Sequence, residues 1–222
     1  MAKKKIDEKT EVMVPGAIEA EETRQFLWLL IVVGVIFATV LFSYFWVEGA
    51  KTFEHGGASW TIEDYDNLRI YHGRFLSLGV QDLNYNIYLR GDPRESDVST
   101  NGTFNKFKHG GVVSMSPEID KCRGELSRVM LDLGAFMRQG IGVGALSSGS
   151  TDKFVAVETD RLFTQCNTAS DKTIVIVEMG EPSVVQNDSN PYCYTIKAKD
   201  CSDISSVERF MVKSIEDSIG SK

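Results

Sequence analysis

The longest hydrophobic stretch of the chain is the uncharged run of 22 residues from Phe26 to Val47. As a helix it would reach about 33 Å, enough to cross a hydrocarbon core of about 30 Å. Trp28, Tyr44 and Trp46 lie near its ends, where aromatic rings suit the two headgroup layers. A cleaved signal peptide has a shorter apolar core followed by small residues, so the pattern predicts a retained transmembrane helix.

The charges that flank this span predict its orientation. Residues 1–25 contain five Lys or Arg residues, whereas the 20 residues after the span contain only Lys51. The positive-inside rule then places the N-terminus in the cytoplasm and the C-terminal part outside the cell membrane. We expect residues 1–25 to be a disordered tail, residues 48–66 a stalk and residues 67–222 a folded extracytoplasmic domain.

Gly34 and Ala38 are four residues apart and therefore share one face of the predicted helix. Such a pair of small residues lets two membrane helices approach closely, which predicts a weak homodimer through the anchor. The simpler interpretation, that both residues face lipid, is preferred.

Short apolar runs and two-residue alternation predict a series of strands after the stalk. The first two, separated by a plausible turn, predict a β-hairpin that ends at Asp92-Pro93, since proline cannot continue a ladder. The β-branched run Thr173–Met179 is typical of a central strand. The predicted strands are 68–76, 83–89, 112–115, 141–146, 154–157, 173–179, 183–186 and 192–197.

Two segments have apolar residues at the three-to-four spacing of an amphipathic helix. The first begins with Ser116 as its N-cap and Pro117 as its first residue, and it ends near Gly140. Because a strand is predicted on each side, the helix and these two strands form a right-handed βαβ unit. The second begins near Ser205, where Ser205 and Glu208 fit a capping box. We therefore predict an α+β fold with a mixed sheet of five to seven strands and both helices on one side.

The charge of the outer part limits its partners. Residues 48–222 contain 19 Lys or Arg and 25 Asp or Glu, a formal charge of −6. This balance argues against nucleic acid and against anionic lipid as the main partner.

All four cysteines lie in this outer part, which predicts two disulfides. Four buried free thiols are the alternative, and the spacings do not fit a zinc site. A Cys193–Cys201 bond would require a hairpin near Ala198. We prefer Cys166 with Cys193, which leaves Cys122 with Cys201.

Three motifs suggest catalysis but lack the setting that it needs. Gly140-Ile-Gly-Val-Gly144 follows a helix, whereas a phosphate loop leads from a strand into a helix, so close backbone packing is preferred. Ser150-Thr-Asp-Lys153 has none of the partner motifs of penicillin-binding enzymes. His55 and His109 each precede Gly-Gly and are interpreted as turns. No catalytic, cofactor-binding or metal-binding residue is assigned.

Two sequons begin at Asn101 and Asn187, in predicted loops on the outer side. They are candidate glycosylation sites whose use depends on the host.

A resemblance rests on Asn86-Ile-Tyr-Leu-Arg-Gly-Asp-Pro-Arg94 and on Cys193-Tyr-Thr-Ile, with Cys201 and Val207-Glu-Arg-Phe-Met211. Over most of the outer domain the chain resembles uncharacterised single-pass membrane proteins of archaea. The resemblance implies an archaeal cell-envelope setting, but it implies no activity and transfers no functional residue.

Two classes of function remain. The first is an envelope accessory subunit that binds a protein partner, which the absence of a complete catalytic set favours. The second is an extracytoplasmic hydrolase with an unrecognised site. A deep pocket that holds His72 or His109 beside a carboxylate would favour the hydrolase, whereas a flat surface with an exposed strand edge would favour the subunit.

Overall fold

The computed structural model describes residues 15–79, 82–167 and 171–219, in two units that divide after Ala50. The first unit contains helix α1 (Pro15–Ala50). Within α1, the stretch Arg24–Trp46 has a mean hydropathy of 2.7, and none of it is buried inside the protein. The helix is therefore long and apolar enough to anchor the chain in a membrane.

The predicted disordered tail is only partly testable, because residues 1–14 lie outside the described residues. From Pro15 onward the tail is helical, so this part of the prediction was wrong. Once the apolar span has formed a helix, extending it costs little, and Ala and Glu are good helix formers.

The second unit begins with a four-stranded antiparallel meander in which consecutive strands pair. The predicted hairpin is confirmed as its last two strands. The predicted stalk was wrong, because most of residues 48–66 form the first two strands of this sheet. Trp60 is 1% exposed and packs so closely on Gly73 that a Cβ there would lie 2.6 Å from the indole. The strands are β1 (Thr52–His55), β2 (Ala58–Tyr65), β3 (Leu68–Leu76) and β4 (Asn84–Leu89).

The remaining described strands form a seven-stranded mixed sheet in the order β5-β10-β11-β9-β6-β7-β8. Only β10 and β11 pair antiparallel; the other neighbours are parallel. The predicted central strand is confirmed, because β9 lies in the middle. The strands are β5 (Ser99–Asn101), β6 (Gly111–Met115), β7 (Leu146–Ser150), β8 (Leu162–Phe163), β9 (Thr173–Met179), β10 (Ser183–Gln186) and β11 (Cys193–Ala198).

Two strand predictions in this region were wrong. The strand after the first amphipathic helix is β7, not residues 141–146, because the helix continues into a π-helical turn (Phe136–Ile141). Residues 154–157 belong to helix α4 (Lys153–Glu158). The carboxylate of Asp152 accepts hydrogen bonds from the N–H groups of Phe154 and Val155 at 2.8 and 3.0 Å, and this N-cap outweighs the strand preference of the valines.

The predicted first amphipathic helix is divided into α2 (Pro117–Asp120) and α3 (Glu125–Ala135) by a loop in which Gly124 has φ +76°. Its Ser116 N-cap is confirmed. The second is α5 (Ser205–Ile219). Buried residues of α3 and α5 form one hydrophobic core with the inner face of the four-stranded sheet and with one face of the seven-stranded sheet. Helix α5 packs on β10, β11 and α3, and its Glu216 lies 3.1 Å from His55 of β1, so much of the helix is buried.

Both preferred disulfides are present in the structure. Cys122 bonds Cys201, which ties the α2–α3 loop to the loop before α5 with a Cα–Cα distance of 5.2 Å. Cys166 bonds Cys193 at the start of β11, with a Cα–Cα distance of 5.5 Å. This second bond packs with Ile174 and Ile176 on the sheet face opposite the main core.

Candidate functional site

A groove of about 440 Å³ opens between α5, the β4–β5 loop and the β9–β10 turn. Its apolar lining includes three buried residues, Leu89, Val98 and Val212. The charged lining residues are five acids and one base: Asp92, Glu95, Asp97, Glu181, Glu208 and Arg209. We call this site, defined by these nine residues, the acidic groove.

The β4–β5 loop is fixed in shape by its own side chains. The carboxylate of Asp92 accepts hydrogen bonds from the backbone N–H and the guanidinium of Arg94, the latter at 2.6 and 2.9 Å. The Arg94 guanidinium in turn lies 3.9 Å from the ring centroid of Phe53. These bonds hold the pKa of Asp92 below its ordinary value. Asp92 is therefore an ionised structural residue, with its charge largely compensated.

Glu208 is the buried carboxylate of the groove, with 5% of its surface exposed. It accepts hydrogen bonds from the backbone N–H groups of Arg90 and Gly91 at 2.8 and 2.9 Å. These groups lie just beyond the end of β4, where the sheet ladder no longer provides acceptors, so the carboxylate completes their hydrogen bonding. Glu208 thereby joins the four-stranded sheet to α5 and fixes one wall of the groove.

Burial raises the pKa of Glu208 above its ordinary value. The two N–H bonds and the nearby guanidinium groups of Arg128 and Arg90 act in the opposite direction, but burial dominates. The predicted capping box was wrong in its second half, because the Glu208 carboxylate binds the end of β4 instead of the start of its own helix. At that start, Asp203 accepts hydrogen bonds from the N–H and hydroxyl groups of Ser205.

Three rim carboxylates differ from Asp92 and Glu208. Glu95, Asp97 and Glu181 are exposed, and none of them forms an ion pair within the part of the chain that the structure describes. Arg209 is turned toward Glu216, 3.4 Å away. The rim therefore carries three carboxylates that form no ion pair among the described residues.

A second polar cluster surrounds His72 on the open face of the four-stranded sheet. Its Nδ1 lies 2.9 Å from Glu63, its Nε2 lies 3.1 Å from Asn86, and its ring stacks on Tyr88 at 4.5 Å. The Tyr65 hydroxyl donates to Glu63 at 2.7 Å. The bonds from Tyr65 and His72 hold the pKa of Glu63 below its ordinary value. This cluster pairs a histidine with a carboxylate, but it lies outside the groove.

The other two histidines are structural. His55 Nε2 lies 3.1 Å from Glu216 on α5. His109 packs against Gly144, where an added Cβ would lie 2.5 Å from the imidazole. The described residues contain no group of three or more His, Cys, Asp or Glu side chains that could hold a metal ion.

The two other motifs have structural roles as well. Gly142 has φ +83°, and a Cβ there would lie 2.1 Å from the Cα of Gly79, so the prediction of close backbone packing is confirmed. Ser150 ends β7, is 1% exposed and accepts a hydrogen bond from the N–H of Asp152 at 3.2 Å.

The anchor residues lie on an exposed helix. Trp28, Tyr44 and Trp46 are 59%, 61% and 70% exposed, and a Cβ added at Gly34 would meet no atom within 4 Å. Ala38 is also exposed. Self-association through this face stays a prediction.

The two sequons belong to β5 and to the segment after β10, two strands that pair at one edge of the seven-stranded sheet. Asn101 is an exposed residue of β5 rather than of a loop. Asn187 follows β10, and its side-chain oxygen accepts hydrogen bonds from the N–H groups of Ser189 and Asn190. Their glycosylation stays a prediction.

Comparisons with known proteins find no match to this chain among family models, curated proteins or solved structures.

Proposed function

We propose that this protein is a membrane-anchored, extracytoplasmic interaction or accessory subunit of a cell-envelope assembly. The observation that carries the proposal is the acidic groove, with buried apolar residues in its lining and three rim carboxylates without an ion pair among the described residues. Concave apolar surface with a few oriented polar groups is typical of binding sites. The helix α1 supplies the anchor.

The alternative, an extracytoplasmic hydrolase, needs a base beside a nucleophile or an activated water. The nearest match is His72 with Glu63, but both imidazole nitrogens already have partners and the pair lies on an open sheet face. In the groove, the carboxylate of Glu208 is engaged by two backbone N–H groups. These contacts favour binding over hydrolysis.

The first prediction tests the orientation. We expect a cysteine introduced at the exposed Lys199 to react with a membrane-impermeant maleimide on intact cells, and a cysteine at Thr10 to react only after lysis. The native cysteines bond each other and serve as the unreactive background. Labelling of Thr10→Cys but not of Lys199→Cys on intact cells would reverse the proposed orientation.

The second prediction tests the interaction. A photo-crosslinking amino acid at Ser96, in the groove lining, should give one discrete adduct with one protein in native membranes. The same amino acid at Lys199, which does not line the groove, should not. When the photo-crosslinking amino acid is placed in the identified partner instead, it should give an adduct with this chain. Identical adducts from both positions, or none from Ser96, would contradict a binding role for the groove.

A further inference from the structure

We propose that the acidic groove binds an extended, lysine- or arginine-rich segment of the protein partner; this inference rests on the proposed function. The charge of the rim carries the first step. Asp92 is compensated by Arg94, whereas Glu95, Asp97 and Glu181 have no ion pair among the described residues. In the proposed complex, the cationic side chains of the partner segment supply the complementary charge, as is common where two surfaces of opposite charge meet.

Part of the groove lining is apolar and favours a ligand with apolar side chains. Leu89, Val98 and Val212 are 1%, 8% and 3% exposed, and they line the same groove as the acidic rim. A free polyamine would satisfy the carboxylates but has no apolar side chain to contact this lining. A peptide in which basic and apolar residues alternate satisfies both, because successive side chains of an extended chain point to opposite sides.

The adjoining strand supports the extended conformation. Val98 lines the groove, and β5 begins at the next residue. Among the described strands, β5 is at the end of its sheet and pairs only with β10, and its residues Ser99–Asn101 are all exposed. A peptide that leaves the groove along this edge would add a strand through backbone hydrogen bonds, a common mode of peptide recognition.

The test measures binding of a fluorescent peptide of alternating Lys and Val to the full chain in zwitterionic lipid nanodiscs, produced without glycans because Asn101 lies in β5. We expect binding that weakens with salt, and no binding of the peptide in which Gln replaces Lys. Neutralising the rim by Glu95→Gln, Asp97→Asn and Glu181→Gln should weaken binding about tenfold.

A matched control removes three other exposed carboxylates, by Asp66→Asn, Glu158→Gln and Asp171→Asn. It changes the net charge equally and should weaken binding no more than about twofold, since these residues lie outside the groove. Equal losses in the two triple variants, or equal binding of the Gln peptide, would overturn the proposal. If Ser96 crosslinks a partner but the Lys peptide does not bind, the proposed function survives and this inference fails.

Discussion

Breaking the bond between Cys122 and Cys201 is expected to lower the free energy of unfolding by about 4.5 kcal/mol. The two cysteines are 79 residues apart, and a cross-link over a long loop restricts the unfolded chain more than a short one does. Cys201 is exposed, so Cys201→Ser removes the bond with little change in packing. At this chain length the loss corresponds to a decrease in Tm of roughly 9 to 18 °C.

The measurement is thermal and urea unfolding of the full chain, followed by circular dichroism. The double variant Cys122→Ser/Cys201→Ser should agree with the single variant, which excludes disulfide rearrangement as the cause. In the presence of a strong reductant, wild type and Cys201→Ser should unfold alike. A loss below about 1 kcal/mol in Cys201→Ser would contradict the prediction.

This bond also matters for the groove. It fixes the loop that leads into α5, and α5 provides one wall of the groove through Glu208 and Arg209. Under reducing conditions that leave the chain folded, we therefore expect the groove to be less rigid at this wall. The disulfide and the hydrogen bonds of Glu208 both help to hold α5 in place.

The parts of the fold that the sequence predicted have strong and local signals. The anchor is a long uncharged run, β9 is an unbroken β-branched run, and α5 has a regular apolar stripe. The disulfide pairing that the sequence analysis preferred, Cys166 with Cys193 and by remainder Cys122 with Cys201, is the one present. In these cases the local preference and the tertiary structure agree.

The β1–β2 hairpin was missed although its signal is present. Gly56 and Gly57 have φ +62° and +82°, as a two-residue hairpin turn requires, and they separate Phe53 from the alternating pair Ala58 and Trp60. Residues 48–66 were instead predicted to be a stalk, although His55-Gly-Gly was interpreted as a turn. The stability of the hairpin comes from Trp60 packing on Gly73, a contact that local periodicity does not show.

The groove itself was beyond local reasoning, because its walls come from segments that are distant in sequence. One signal for it existed. Glu208 falls on the buried side of α5 between Val207 and Met211, where a charged residue requires a specific partner. The capping-box interpretation explained that glutamate locally and so concealed its long-range contact with Arg90 and Gly91.

Replacing Glu208 by alanine is expected to lower the free energy of unfolding by about 3 kcal/mol at neutral pH. The substitution removes an acceptor from two backbone N–H groups and leaves them buried beside an enlarged space. The Tm should fall by roughly 6 to 12 °C. Glu208→Gln keeps the volume and one acceptor oxygen, so its loss should be smaller. Equal stability of wild type and Glu208→Ala would show that the contact contributes nothing.

The same residue gives a pH dependence whose sign is fixed. Burial raises the pKa of Glu208 in the folded protein above its unfolded value, so the folded state binds the proton more tightly. The resulting contribution to stability is complete below the unfolded pKa and is lost as the pH rises through the folded pKa. We therefore expect the stability difference between wild type and Glu208→Ala to be larger at pH 5 than at pH 8.

The comparison must be made as a difference between the two proteins, because other carboxylates titrate in the opposite sense. The pKa values of Glu63 and Asp92 lie below their ordinary values, so their contributions are lost at lower pH in both proteins and cancel. Urea unfolding at pH 5, 6, 7 and 8 measures the difference directly. A difference that grows with pH would mean that the two N–H groups, rather than burial, determine the charge state of Glu208.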